Sequence, residues 1–190
     1  MNKRARDLTL MLDRMPTPIG IMLLVFDDHA RLRALDWQDH EARFLDLLKR
    51  HYGQKDRDFA IIDAPLPASL RGPMEHYFDG DITAIDSIPV HCHGSDFQKS
   101  VWDELRRIPG GTTISYGQLA ARIGKPNAMR AVGLANGANP ISIVVPCHRV
   151  IGANGTLTGY GGGLARKQWL LTHEGALPAS HTPELPGLNA

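Results

Sequence analysis

SYGQLAARIGKPNAMRAVGLANG, residues 115–137, is the stretch on which the architecture of this chain turns. Ser115 is a side chain that caps helix amino termini, and Tyr116, Leu119, Ala120 and Ile123 follow it at helical spacing. Gly124-Lys125-Pro126 then stops the helix, and residues 127–136 resume one. Two short helices across a glycine-containing turn make a helix-turn-helix pattern, which many all-helical packings share. The second helix carries Ala128, Ala131, Gly133, Ala135 and Gly137, with little bulk beyond Arg130 and Val132. Its backbone can therefore approach either a partner or a neighbouring helix closely.

Upstream, Ser95-Asp96 is a second capping pair, and Phe97, Val101, Trp102, Leu105 and Ile108 share one helical face that ends at Pro109-Gly110-Gly111. Downstream of Asn139-Pro140, residues 141–145 read as a buried extended segment leading into Pro146-Cys147-His148-Arg149-Val150. A glycine-rich loop over 155–163 and a helix over 164–173 follow, closed by Glu174-Gly175. The first half is mixed. Residues 19–26 and 31–37 read as strands joined at Asp27-Asp28-His29, residues 39–51 as a helix, 59–62 as a short strand and 70–78 as a helix ended near Gly80. Residues 85–94, with Pro89 and Gly94, read as an extended connection. These elements predict an α/β domain over 1–94, a mainly helical domain over 95–175, and a flexible tail over 176–190.

With 43% apolar and 22% charged residues, the chain has the composition of a globular protein. The longest apolar run, residues 19–26, is too short to span a bilayer, and the amino terminus lacks a signal-like stretch, so a cytoplasmic location is expected. Cys92 and Cys147 are the only two cysteines, which suits a reducing compartment. Residues 1–95 carry 12 Lys/Arg against 15 Asp/Glu, whereas residues 96–174 carry 9 against 4. The basic excess lies in the second half, as it would if that half met phosphates.

A cysteine after an apolar run is ordinarily a small core residue. Cys147, however, is followed by His148, with Glu174 downstream and Tyr116 and Asn139 able to supply hydrogen bonds. A thiol needs a base to become a nucleophile at neutral pH, and a histidine held by a carboxylate is a common one. In an extended strand Cys147 and His148 would project to opposite sides, so a water relay is expected between them rather than a direct bond. His91-Cys92-His93 resembles a ligand cluster, but alternate residues share a face and paired thiolates are missing, so no metal is expected.

The run 146–150, with Gly159-Tyr160-Gly161-Gly162-Gly163-Leu164, residues 169–175, Arg130-Ala131-Val132-Gly133 and Asn139-Pro140, closely resembles the O6-alkylguanine-DNA alkyltransferases, the methylated-DNA–protein-cysteine methyltransferase family. The resemblance is strong over 96–175 and loose before that, through Thr17-Pro18-Ile19-Gly20. It implies a ribonuclease-H-like sheet in the α/β domain and a helix-turn-helix that binds double-stranded DNA through the minor groove, with the lesion flipped into the cysteine pocket. It further implies direct reversal of O6-alkylguanine, and of O4-alkylthymine, by irreversible single-turnover transfer to Cys147. His148 would be the water-mediated base, Glu174 its orienting carboxylate, and Asn139 a brace for the turn. Tyr116 would assist rotation of the nucleotide and protonate N3 of guanine. Arg130 would fill the gap in the duplex, with Ser115 and Ala128 also on the DNA-binding surface. Val150, Tyr160 and Gly161 would meet the base. No cofactor is implied, and a monomer is expected.

Two other readings stand beside this one: a lesion-sensing protein without chemistry, and a cysteine hydrolase using Cys147, His148 and Glu174. Where some members of the family carry a side chain at the position of Gly161 and a proline at that of Ser142, this chain has neither. A wide, mobile pocket wall that admits longer alkyl groups is therefore expected.

Overall fold

The computed structural model describes residues 8–53 and 59–179. Its central layer is a four-stranded sheet in the order β3-β2-β1-β4, made of β1 (Leu8–Thr17), β2 (Gly20–Phe26), β3 (Leu32–Trp37) and β4 (Phe59–Asp63). The pairs β1–β2 and β2–β3 are antiparallel, and β4 runs parallel to β1. β1 was not anticipated from the sequence, although Leu8, Leu10 and Leu12 alternate along it in the period of a strand.

β2 is apolar at nearly every position because both faces of the sheet are covered. Met22, Leu24 and Phe26 point into one apolar cluster, while Leu23 and Val25 point into another with Phe44, Leu48 and Tyr52 of α1 (Glu41–Tyr52). The first cluster runs without a break from the sheet, through α2 (Ala68–Phe78), into α3 (Asp96–Leu105), α4 (Tyr116–Arg122), α5 (Met129–Gly137) and α6 (Leu164–His173). The chain is thus an α/β molecule in which one core joins the two halves.

The caps read from the sequence form as full capping boxes. Ser95 exchanges hydrogen bonds with Gln98 at the start of α3, and Ser115 with Gln118 at the start of α4. Two strands of two residues each, β5 (Ile114–Ser115) and β6 (Val150–Ile151), pair in parallel and tie the start of α4 to the segment after Cys147.

The outer edge of β3 is not left open. The Leu32 amide donates to Pro89 O at 2.8 Å, and the Leu35 amide to Pro140 O at 2.9 Å. Covering an edge removes a row of unpaired backbone groups, and here it also docks residues 139–142 against the sheet. Ala176 and Leu177 bond back to Leu171 O, and residues 180–190 of the expected tail lie outside the described residues. Among the described residues no helix is long and apolar enough to cross a membrane.

Candidate active site

Residues 141–145 are not the extended segment the sequence suggests. The Val145 amide donates back to Ile141 O at 3.0 Å, and Ile143 adopts φ +68, so the chain coils into a tight buried turn. Asn139 supports it from inside: its Nδ2 donates to Val145 O at 2.7 Å and to Ile141 O at 3.3 Å, and its Oδ1 accepts from the Ile141 amide at 3.0 Å. Cys147–Arg149 then forms a single 3₁₀ turn rather than a strand. A hydrogen-bonding side chain ahead of the cysteine and a proline at 146 favour such a turn over a ladder, because Pro146 has no amide to give one.

That turn directs His148 away from solvent. His148, Arg149 and Glu174 are all buried, and Glu174 gathers them: its Oε1 accepts from His148 Nε2 at 2.9 Å, from Arg149 Nη2 at 2.9 Å and from Tyr77 Oη at 2.8 Å. Its Oε2 accepts from Arg149 Nε at 2.9 Å, and Arg149 Nη1 reaches Ile108 O at 2.6 Å. Burial opposes the Glu174 charge, yet the His148 ring and the Arg149 guanidinium hold its carboxyl well below the usual carboxylate range. An ionised Glu174 places the His148 proton on Nε2. Nδ1 is then a lone pair, and it is buried without a hydrogen-bond partner among the described residues. Burial also pushes His148 below its ordinary value despite Glu174, so the ring is neutral at neutral pH.

Burial pushes the Cys147 thiol up, while Asn139, Lys167 and Arg43 work against that rise. Cys147 therefore rests as a thiol. Lys167, on α6, has no exposed surface; its ammonium donates to Val150 O at 2.6 Å and Thr158 O at 2.7 Å, and burial lowers it to about 8. It fastens the glycine-rich loop to the strand after the cysteine and occupies one lone pair of the Val150 carbonyl.

Tyr116 leans over the same loop, its hydroxyl 3.5 Å from Thr158 O, and the Tyr160 ring stands edge-on to His148 at 6.4 Å. Cys147, His148, Glu174, Asn139, Tyr116, Tyr160 and Val150 thus meet in one place. Ser115 and Ala128 sit instead at the amino ends of α4 and α5, and Arg130 is exposed on α5.

Sequence reasoning gave no role to Tyr77, Arg149, Lys167, Asp36, Trp37 or Arg43. Arg149 was within reach, since it lies in the motif itself; the others come from elements distant in sequence. The wall at Gly161 is not open either. The Arg43 guanidinium fills the volume a Cβ on Gly161 would take, and the Trp37 indole does the same at Gly162. Arg166 of α6 stacks over Trp37 at 4.5 Å and donates to Ile19 O at 2.7 Å. The wide gap expected at Gly161 is therefore corrected: the amino-terminal half occupies it.

Cys92 contrasts with Cys147. Burial pushes its thiol up to about 12.

Fold and site together define a class: an α/β protein with a buried cysteine followed by a histidine that is hydrogen-bonded to a buried carboxylate. Residues 96–176 match the family model for the DNA-binding domain of 6-O-methylguanine DNA methyltransferase. The chain is 48% identical to the methylated-DNA–protein-cysteine methyltransferase of Shigella flexneri over 170 residues, covering 90% of this chain and 98% of that one. The Salmonella typhimurium protein of the same name is 49% identical over the same shares. Among solved structures, Mycobacterium tuberculosis OGT in complex with DNA superposes with a TM-score of 0.69 at 37% identity, covering 92% of this chain and 98% of that one. The chain belongs to the methylated-DNA–protein-cysteine methyltransferase family.

Proposed function

We propose that this protein repairs DNA by direct reversal, moving the alkyl group of O6-alkylguanine, and of O4-alkylthymine, onto Cys147 once per molecule. The observation that carries the reading is the buried, unpartnered Nδ1 of His148, the residue after Cys147, with Nε2 committed to Glu174. As the Sγ–carbon bond forms and the O6–carbon bond breaks, the thiol proton passes to Nδ1 through a bridging water, and the electron pair enters the purine. Protonation of N3 by the Tyr116 hydroxyl lets guanine leave neutral. The thioether product has no good leaving group, so the reaction ends there.

The order β3-β2-β1-β4 with a parallel β4 supports a ribonuclease-H-like sheet, and α4 and α5 across residues 123–128 support a helix-turn-helix. On this reading residues 1–94 form the first domain and 95–175 the second. The monomer binds duplex DNA through the minor groove in the cytoplasm. Arg130 fills the gap left by the flipped base, Ser115 and Ala128 lie against the backbone, and Val150, Tyr160 and Gly161 meet the guanine. Neither a metal nor a cofactor takes part.

Incubation with a duplex containing O6-methylguanine, followed by peptide mass spectrometry, tests this. One methyl group on the Cys147 peptide is expected. Binding without a mass change would favour a lesion sensor, and repeated turnover on a thioester or amide without DNA would favour a hydrolase.

A further inference from the structure

One cation at the acceptor site comes from the amino-terminal half, and the alkyl-transfer chemistry gives it no task. Arg43 lies in the first turn of α1 with its side chain 28% exposed, and its guanidinium meets three elements at once. Nη1 pairs with Asp36 of β3. Nη2 donates to Gly137 O, at the carboxyl end of α5, at 3.3 Å. The guanidinium also packs on Gly161, in the space a side chain there would need. It is close enough to Cys147 to favour the thiolate, as Asp36 is to oppose it.

These contacts differ in strength. Asp36 is wholly buried and has the Trp37 amide, at 3.0 Å, as a further donor, so its pair with Arg43 is a fixed anchor that neither charge can leave without desolvation cost. The bond to Gly137 is long, and the contact with Gly161 is packing alone. A guanidinium held through one nitrogen can turn about that anchor and give up the two weaker contacts while the ion pair stays. Turning would open the loop side of the pocket.

We propose that Arg43, anchored on Asp36, is a movable wall of the acceptor pocket that determines the size of the group admitted to Cys147. This rests on Cys147 being the alkyl acceptor. With the wall closed, a small group reaches the sulfur; a bulky one requires Arg43 to turn from Gly161. Lesion size is then selected by the half of the chain that does not hold the cysteine, and Arg43 occupies the room beside Gly161.

The test uses the full chain and thiol reagents of two sizes, with peptide mass spectrometry separating Cys147 from Cys92. The same thiolate attacks both iodoacetamide and fluorescein-5-maleimide, so loss of a nearby cation cancels in the ratio of their rates on Cys147. Asp36→Asn/Arg43→Ala removes the wall without stranding a buried carboxylate, and Arg43→Lys keeps the anchor but loses the flat fork. In the double variant, with folding verified by its thermal transition, the bulky-to-small ratio is expected to rise roughly tenfold, as steric discrimination by a pocket wall would allow, and less in Arg43→Lys. A ratio within about twofold of the parent protein in both folded variants would overturn the proposal, since that is below what even one methylene commands in a tight pocket. Transfer from free O6-benzylguanine relative to free O6-methylguanine should move in the same direction. Should the reagent ratio shift while neither base alkylates Cys147, the wall stands and the acceptor reading fails; transfer with an unchanged ratio sinks the wall alone.

Discussion

Buried Glu174 accepts from three side chains, and removing its charge while keeping its shape separates its duties. In Glu174→Gln the Arg149 guanidinium stays buried with no carboxylate, a loss of about 3–5 kcal/mol in stability. Thermal unfolding would show it. The acid limb follows from the same group. Its carboxyl is held below the unfolded value of about 4.3, so its stabilisation is complete above that pH and is lost as the pH falls from there toward the folded value. Glu174→Gln should flatten the acid side of the stability profile, and an unchanged slope below pH about 4.3 would exclude Glu174 as its source. For the reaction, His148 is neutral to lower pH than an ordinary imidazole, so transfer from a free base should hold its rate below pH about 6.5, where a solvated histidine would already be charged. Cys147→Ala should abolish transfer, and Cys92→Ser should leave it intact, because burial keeps the Cys92 thiol protonated. Cys147 and His148 stood out in the sequence because a cysteine and a histidine lie side by side in a motif, and the His148–Glu174 contact that the resemblance implied forms at 2.9 Å. Tyr77 was not, because it reaches Glu174 across a separation of 97 residues that only the packing of α2 against α6 closes.

At the scale of elements, helices with good caps were the most legible. Ser95 and Ser115 each stand three residues before a glutamine that completes a capping box, and such local chemistry needs no tertiary partner. The turn at 141–145 was misread as extended for the opposite reason: a run of β-branched residues has strand propensity, and the buried Asn139 overrides it. Ile143 shows the cost. A β-branched residue in the left-handed region is strained by roughly 1–2 kcal/mol, and the turn that presents Cys147 keeps it there. Ile143 is also fully buried, so Ile143→Ala should lose about 2–5 kcal/mol through the cavity it leaves. Ile143→Gly creates the larger cavity but removes the backbone strain, so it should be no less stable than the alanine variant, and more stable by up to about 1 kcal/mol. Denaturant unfolding of the pair decides it. A glycine variant clearly weaker than the alanine one would mean that the turn stores no strain at this residue.

Across the whole molecule, the two halves share one apolar core, and the site draws Arg43, Asp36, Trp37 and Tyr77 from the first half and Cys147, His148 and Glu174 from the second. Composition could show the basic bias of residues 96–174 but not this mutual dependence, because contacts between halves leave no periodic trace. Arg130 stands apart from that arrangement. It is exposed on α5, whereas Cys147, His148 and Glu174 are buried, so its truncation should leave the chemistry of transfer alone. A base within a duplex must be extruded before Cys147 can reach it, at a cost of a few kcal/mol, and a side chain that fills the vacated stack offsets part of it. If Arg130 supplies about 1.4–2.7 kcal/mol of that offset, Arg130→Ala should slow repair of O6-methylguanine in a duplex by roughly 10–100-fold. Transfer from the free O6-methylguanine base, which requires no extrusion, should change little. Single-turnover rates on both substrates separate the two effects. Equal losses would place Arg130 in the pocket or in the fold, and equal retention would mean that α5 does not enter the duplex through this residue.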